Sequence, residues 1–156
     1  MQKRVNVITL GCSKNLSDSE VLLGQLNHAG LAAASEMRDD HDIVVVNTCG
    51  FIDLAKEESV ETILHQVERK KAGEIEKLFV TGCLSQRYRD DLIQELPEVD
   101  GFFGTVELPL LLEEFNVDYR KDLLGSKRLT TPSHYAYVKI SEGCNRTCGF
   151  CAIPLM

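Results

Sequence analysis

Apolar and polar positions along the chain repeat one alternation: a short run rich in β-branched residues, a glycine-marked turn, then a stretch with apolar residues three and four apart. The first run, Arg4 to Leu10, carries Val5, Val7 and Ile8 and ends at Gly11-Cys12. Ser17-Asp18-Ser19-Glu20 then reads as a capping box, predicting a helix from about Asp18 to Ala29 that Gly30 stops. Ile43 to Val46 is apolar without alternation, as in a strand covered on both faces, and leads into Asn47-Thr48-Cys49-Gly50. A helix is predicted over 53–71. It has Val60, Ile63, Leu64 and Val67 on one face, glutamates early and Arg69, Lys70 and Lys71 late, complementing the helix dipole.

Leu78 to Thr81 repeats the strand pattern, with Gly82-Cys83 at its end. Ser85 is the candidate cap of a helix carrying Tyr88, Leu92 and Leu96, which Pro97 closes. Gly101 to Gly104 reads as a short fourth strand, and Thr105 as the cap of a last helix with Leu108, Leu111, Leu112 and Phe115 inward. Strands alternating with helices predict an α/β, doubly wound, mostly parallel and flavodoxin-like sheet. From 116 to 133 the pattern dissolves, and Tyr135 to Ile140 alternates again as one strand feeding a cysteine loop. The expected organisation is an α/β domain over 1–115, a linker over 116–134 and the start of a second domain over 135–156.

Composition narrows the function classes. A net charge of −7 disfavours nucleic acid binding through phosphate neutralisation. No apolar run of about eighteen residues and no signal-peptide pattern occurs, so a cytoplasmic location without membrane association is expected. With 156 residues the chain can bury a core without disulfide staples, which makes reduced, metal-binding thiols the better reading of its six cysteines.

The cysteines fall into two groups. Cys12, Cys49 and Cys83 each follow a predicted strand beside a glycine, and parallel strands bring their carboxyl ends to one edge, about 4.8 Å apart. A lone cysteine there would be a buried structural residue; three at equivalent strand ends read as a three-thiolate cluster site, with zinc as the alternative. Cys144, Cys148 and Cys151 form Cys-x3-Cys-x2-Cys in a loop containing Gly143, Gly149 and Pro154. Three thiolates can hold three irons of a four-iron cluster and leave the fourth open to a ligand, whereas zinc prefers four ligands and paired spacings. Lys14 and Asn15, close after Cys12, are candidates to offset cluster charge or donate to sulfide, with a solvated loop lysine as the alternative. Asn47 and Thr48 are read as satisfying backbone, Glu142 as solvated, and His28, His41 and His65 as surface residues.

The last loop, with Phe150 before its third cysteine, resembles the signature of the radical S-adenosylmethionine (SAM) superfamily, and the whole chain resembles the radical SAM methylthiotransferases. The segments Thr9 to Glu20 and Val46 to Asp53 are similar to the branch that modifies a ribosomal protein rather than the transfer-RNA adenosine branch. The resemblance implies two 4Fe-4S clusters, held by Cys12, Cys49 and Cys83 and by Cys144, Cys148 and Cys151, the latter binding SAM. It implies reduction of SAM to a deoxyadenosyl radical, sulfur supplied through the other cluster, and a methylthio group added to the β-carbon of an aspartate in a small-subunit ribosomal protein. It further implies an electron donor such as flavodoxin, and a longer parent enzyme of which this chain would be an N-terminal fragment, inactive alone. A non-enzymatic zinc or redox-sensing α/β module is the alternative from a different class.

Overall fold

Five strands form one parallel sheet in the order β2-β1-β3-β4-β5: β1 (Arg4–Thr9), β2 (Ala32–Ala34), β3 (Ile43–Thr48), β4 (Lys77–Gly82) and β5 (Gly101–Phe102). The computed structural model describes residues 3–35, 40–124 and 127–156. Between the strands run α1 (Ser13–His28), α2 (Asp53–Lys71) and α3 (Cys83–Glu95), with α4 (Leu108–Glu113) after β5. This is the doubly wound architecture predicted, and its strand order is the flavodoxin-like one.

The central strand explains the layering. All six residues of β3 are buried, with Val44 and Val46 on one face and Ile43 and Val45 on the other. The first face packs with Ile63 and Val67 of α2 and Leu84 and Leu92 of α3. The opposite face packs with Leu22, Leu23 and Leu26 of α1 and Leu111 and Leu112 of α4. Phe79 is fully buried there, edge-on to Phe103 and Phe115. Among the described residues no helix is long and apolar enough to cross a membrane.

Several boundaries differ from the sequence expectation. Helix α1 starts at Ser13, a turn before the capping box, because Ser17 and Glu20 are buried and spend their side chains on later segments of the chain. Helix α3 starts at Cys83 rather than after Ser85, which is fully buried in its first turn, and the N-cap of α4 is Glu107 rather than Thr105. The strand β2 was not foreseen, so Gly101–Phe102 is the fifth strand. Leu64 is exposed, and His41 is buried rather than on the surface.

Residues 135–140 form no strand. A strand exists only through ladder bonds to a neighbour, and this segment is joined to the rest instead by the Lys139–Asp18 ion pair and by a bond from the Lys127 ammonium to the Tyr137 carbonyl. Phe115, Val117 and Tyr119 pack on the core beyond α4. Gly125 and Ser126 of the expected linker lie outside the described residues.

Candidate metal centre

The carboxyl ends of β1, β3 and β4 carry Cys12, Cys49 and Cys83, and the sheet order makes these three strands consecutive neighbours. Cys12 and Cys49 flank the gap between β1 and β3. There the winding reverses direction, which is where open α/β sheets bind ligands. Cys12 is exposed, while Cys49 and Cys83 are buried, and all three are free thiols.

Glycine at each strand end is what lets the loops close on one another. Gly11 has φ +85°, and a Cβ there would stand 2.5 Å from Cys49 Cβ and 2.7 Å from Cys49 Sγ. A Cβ on Gly50 would meet the Leu84 backbone at 2.8 Å. One on Gly82, with φ +98°, would stand 2.4 Å from the Thr48 carbonyl. Only glycine fits these approaches.

Beneath the thiols lies a buried polar framework. Asn15, on the first turn of α1, donates through Nδ2 to the carbonyls of Leu10 (3.0 Å) and Thr48 (2.8 Å), tying the ends of β1 and β3 together. Its Oδ1 lies 4.0 Å from Cys83 Sγ. Asn47 donates to Asn15 O (2.9 Å) and Ser19 Oγ (3.0 Å). Thr48 donates to the Thr81 carbonyl at 2.6 Å. Ser59 of α2 accepts from Cys49 N and donates to Cys49 O, both at 3.0 Å.

Electrostatics bind the group further. Burial pushes the Cys83 thiol above its ordinary value, Lys14 pulls it back, and Cys49, Cys12 and Glu142 add to the rise. Helix α1 begins directly after Cys12 and α3 at Cys83 itself, and neither these nor α2 has a side-chain cap on its N-terminus. Uncapped N-terminal amides stabilise anions, thiolates included.

Cys144, Cys148 and Cys151 lie on a loop at the surface, the first two exposed and the third half-buried. Cys144 Sγ accepts from Arg146 N at 3.4 Å, and Cys151 N donates to Cys148 O at 3.1 Å. Among the described residues, no three His, Cys, Asp or Glu side chains converge to hold a single metal ion. A four-iron cube offers a separate iron to each thiolate, so its donors stand farther apart than those on one ion. Three cysteines on separate strand ends and uncapped helix termini beside them fit such an anionic body better than a lone zinc ion.

Cys12, Cys49 and Cys83 stand at the strand ends expected, whereas Cys144, Cys148 and Cys151 lie on a surface loop that no strand feeds. Ser59 was not singled out, although it stands four residues before the inward Ile63, a spacing that would have pointed it at the sheet. Lys14 and Glu142 are not solvated apart but paired at 2.8 Å. A groove of about 700 Å³ opens beside the site, between Asn47 and Gly82 at the strand ends, Val106 and Leu108 after β5, and residues 138–142.

The sequence model of a family described as uncharacterized protein family UPF0004 matches residues 4–104, from the start of β1 to just past β5. The chain belongs to UPF0004. Within relatives of this UPF0004 chain, a protein from Cytophaga hutchinsonii named ribosomal protein uS12 methylthiotransferase RimO is 58% identical over 154 residues, 98% of the chain and 35% of the relative. The protein of the same name from Flavobacterium psychrophilum is 59% identical over 155 residues, 99% of the chain and 35% of its own length. That of Bacteroides thetaiotaomicron is 51% identical over 156 residues, again 99% of the chain and 36% of the relative. The UPF0004 chain thus spans about a third of the length of these relatives. The match extends past residue 104 through the second cysteine group, in line with the resemblance drawn from the motifs.

Proposed function

We propose that this chain provides the two iron-sulfur sites of a radical SAM methylthiotransferase acting on ribosomal protein uS12. Cys12, Cys49 and Cys83 would hold one 4Fe-4S cluster, and Cys144, Cys148 and Cys151 the cluster that binds SAM. The observation that supports the reading is the placement of three free cysteines at the carboxyl ends of three neighbouring strands, beside Gly11, Gly50 and Gly82, where the loops pack too closely for a side chain. Identity above 50% to relatives named for this activity, over nearly the whole chain, supports the choice of reaction and substrate. When bound, the clusters and SAM supply one-electron chemistry, sulfur and the methyl group.

The chain's own residues perform the holding. Asn15 and Asn47 fix the ends of β1 and β3 relative to each other, so Cys12 and Cys49 keep their separation. Ser59 clamps both backbone polar groups of Cys49, leaving its thiol as the free end. The N-termini of α1 and α3 and the Lys14 ammonium place positive charge beside Cys12 and Cys83, which offsets the negative charge of a thiolate-held cluster.

Iron and sulfide per chain after anaerobic reconstitution test the assignment. About eight irons in the wild type and about four in the Cys12→Ala, Cys49→Ala, Cys83→Ala variant are expected. About four irons in both would make the strand-end cysteines structural and end the two-cluster reading. A colourless protein holding zinc would favour the non-enzymatic module instead. The chain alone, about a third of the length of its relatives, is expected to yield no methylthio product with SAM and a flavodoxin-type reductant.

A further inference from the structure

Helix α1 carries two stations at which the chain beyond α4 is fastened. At the first, the carboxylate of Glu20, fully buried, meets Lys127 Nζ at 2.8 Å and accepts from Thr130 N at 2.8 Å and Thr130 Oγ1 at 3.1 Å. Arg128 adds a bond from its N to the Glu20 carbonyl and one from its guanidinium to Ala33 O. At the second station four charges close a ring. Lys14 meets Glu142 at 2.8 Å and Asp18 at 3.9 Å, Lys139 meets Asp18 at 2.7 Å, and Lys139 also pairs with Glu142.

The ring joins residues two positions beyond Cys12 to residues two positions before Cys144. Its four side chains are a quarter to a third exposed, and alternating signs leave it neutral. Isolated exposed pairs contribute little, but a closed, half-buried network whose members each touch two opposite charges holds a fixed geometry. Residues 138–142 form one wall of the groove beside the strand ends. Asp18, Lys139 and Glu142 of the ring line that groove.

We infer that Lys14 and Glu142 are positioning residues, whose ion pair, braced by Asp18 and Lys139, holds the Cys144–Cys151 loop in register with the strand-end cysteines before any cluster is loaded. The role assigned to the pair rests on the reading of both cysteine groups as cluster sites, but the contact itself does not. Its test is nuclear magnetic relaxation on the metal-free, reduced chain of 156 residues. Backbone order parameters for 138–143 are expected near those of a rigid backbone, about 0.85, in the wild type and in Lys14→Arg.

In Lys14→Met and in Glu142→Gln they are expected to fall below about 0.6. The double variant should fall no further than the lower single, and the amide shifts of β3 and β4 should not move. Order parameters unchanged in both single variants, or already low in the wild type, would overturn the inference. So would Lys14→Arg behaving as Lys14→Met. Iron counting on the same variants separates the two ideas: a chain that orders 138–143 through the ring yet loads no iron at Cys12, Cys49 and Cys83 refutes the cluster assignment and leaves the contact standing.

Discussion

Gly11 and Gly30 share a φ of +85° but differ in their surroundings, and this isolates the crowding at Cys49. A Cβ on Gly11 would stand 2.7 Å from Cys49 Sγ, whereas one on Gly30 would meet nothing within 4 Å. Replacing either by alanine forces a left-handed backbone on a residue with a Cβ, at about 1–2 kcal/mol. Both gain the same small unfolded-state benefit, under about 1 kcal/mol. Only Gly11→Ala adds overpacking, about 1–3 kcal/mol, since Cys49 is buried and Ser59 grips its backbone on both sides. Thermal unfolding followed by circular dichroism in reducing buffer should therefore place Gly11→Ala below Gly30→Ala by about 2–12 °C, at about 2–4 °C per kcal/mol for a chain of this size. The iron bound at the strand ends should fall in Gly11→Ala alone, because the thiol is the part of Cys49 free to move. Equal melting temperatures for the two variants would refute the packing of Gly11 on Cys49.

Three other perturbations have defined outcomes. Asn15→Ala removes the two donors that join the ends of β1 and β3 and should lower stability by about 2–4 kcal/mol in urea unfolding. Leu112→Ala, at a fully buried position of α4, should cost about 2–5 kcal/mol by the same measurement. Burial pushes the Glu20 carboxyl up, but the bonds from Lys127 and Thr130 outweigh it and leave the group below its ordinary 4.5. Its contribution to stability is thus complete above about pH 4.5 and is lost as pH falls through the lower folded value. Glu20→Gln should flatten the acid limb of the stability profile. Asp18, held above its ordinary value mainly by burial, works in the opposite sense and remains in both profiles.

The parts of the fold written locally were legible, and those written at a distance were not. Helix α2 spans the predicted 53–71 because its apolar spacing and its terminal charges agree. The strands β3 and β4 follow from apolar runs that no helix of that length would carry. Ala32–Ala34 lacks β-branched residues, and only its pairing with Arg4 to Asn6 makes it a strand. Ser17 and Glu20 imitate a cap, yet their partners are Lys127 and Thr130, more than a hundred positions on. The cysteines could be found because strand ends in a parallel sheet share an edge. The spacing of Ser59 from Ile63 aims it at the sheet but does not name Cys49 as its partner, and the pairing of Lys14 with Glu142 is encoded by no local pattern.

The order of strands in the sheet also sets a sequence of events during synthesis. Each of β2, β3, β4 and β5 is laid beside a strand already made, so the sheet grows as the chain lengthens and no early strand waits for a late one except β1 for its first neighbour. The strand ends that carry Cys12, Cys49 and Cys83 can therefore assemble once α3 (Cys83–Glu95) has formed, while Cys144 is still roughly fifty residues from being translated. At about 5–20 residues per second that is an interval of about 2–10 s. Two trios of thiols made in one chain are thereby separated in time: the sheet edge that carries the first, with Cys49 and Cys83 buried in it, can be assembled before the second is translated.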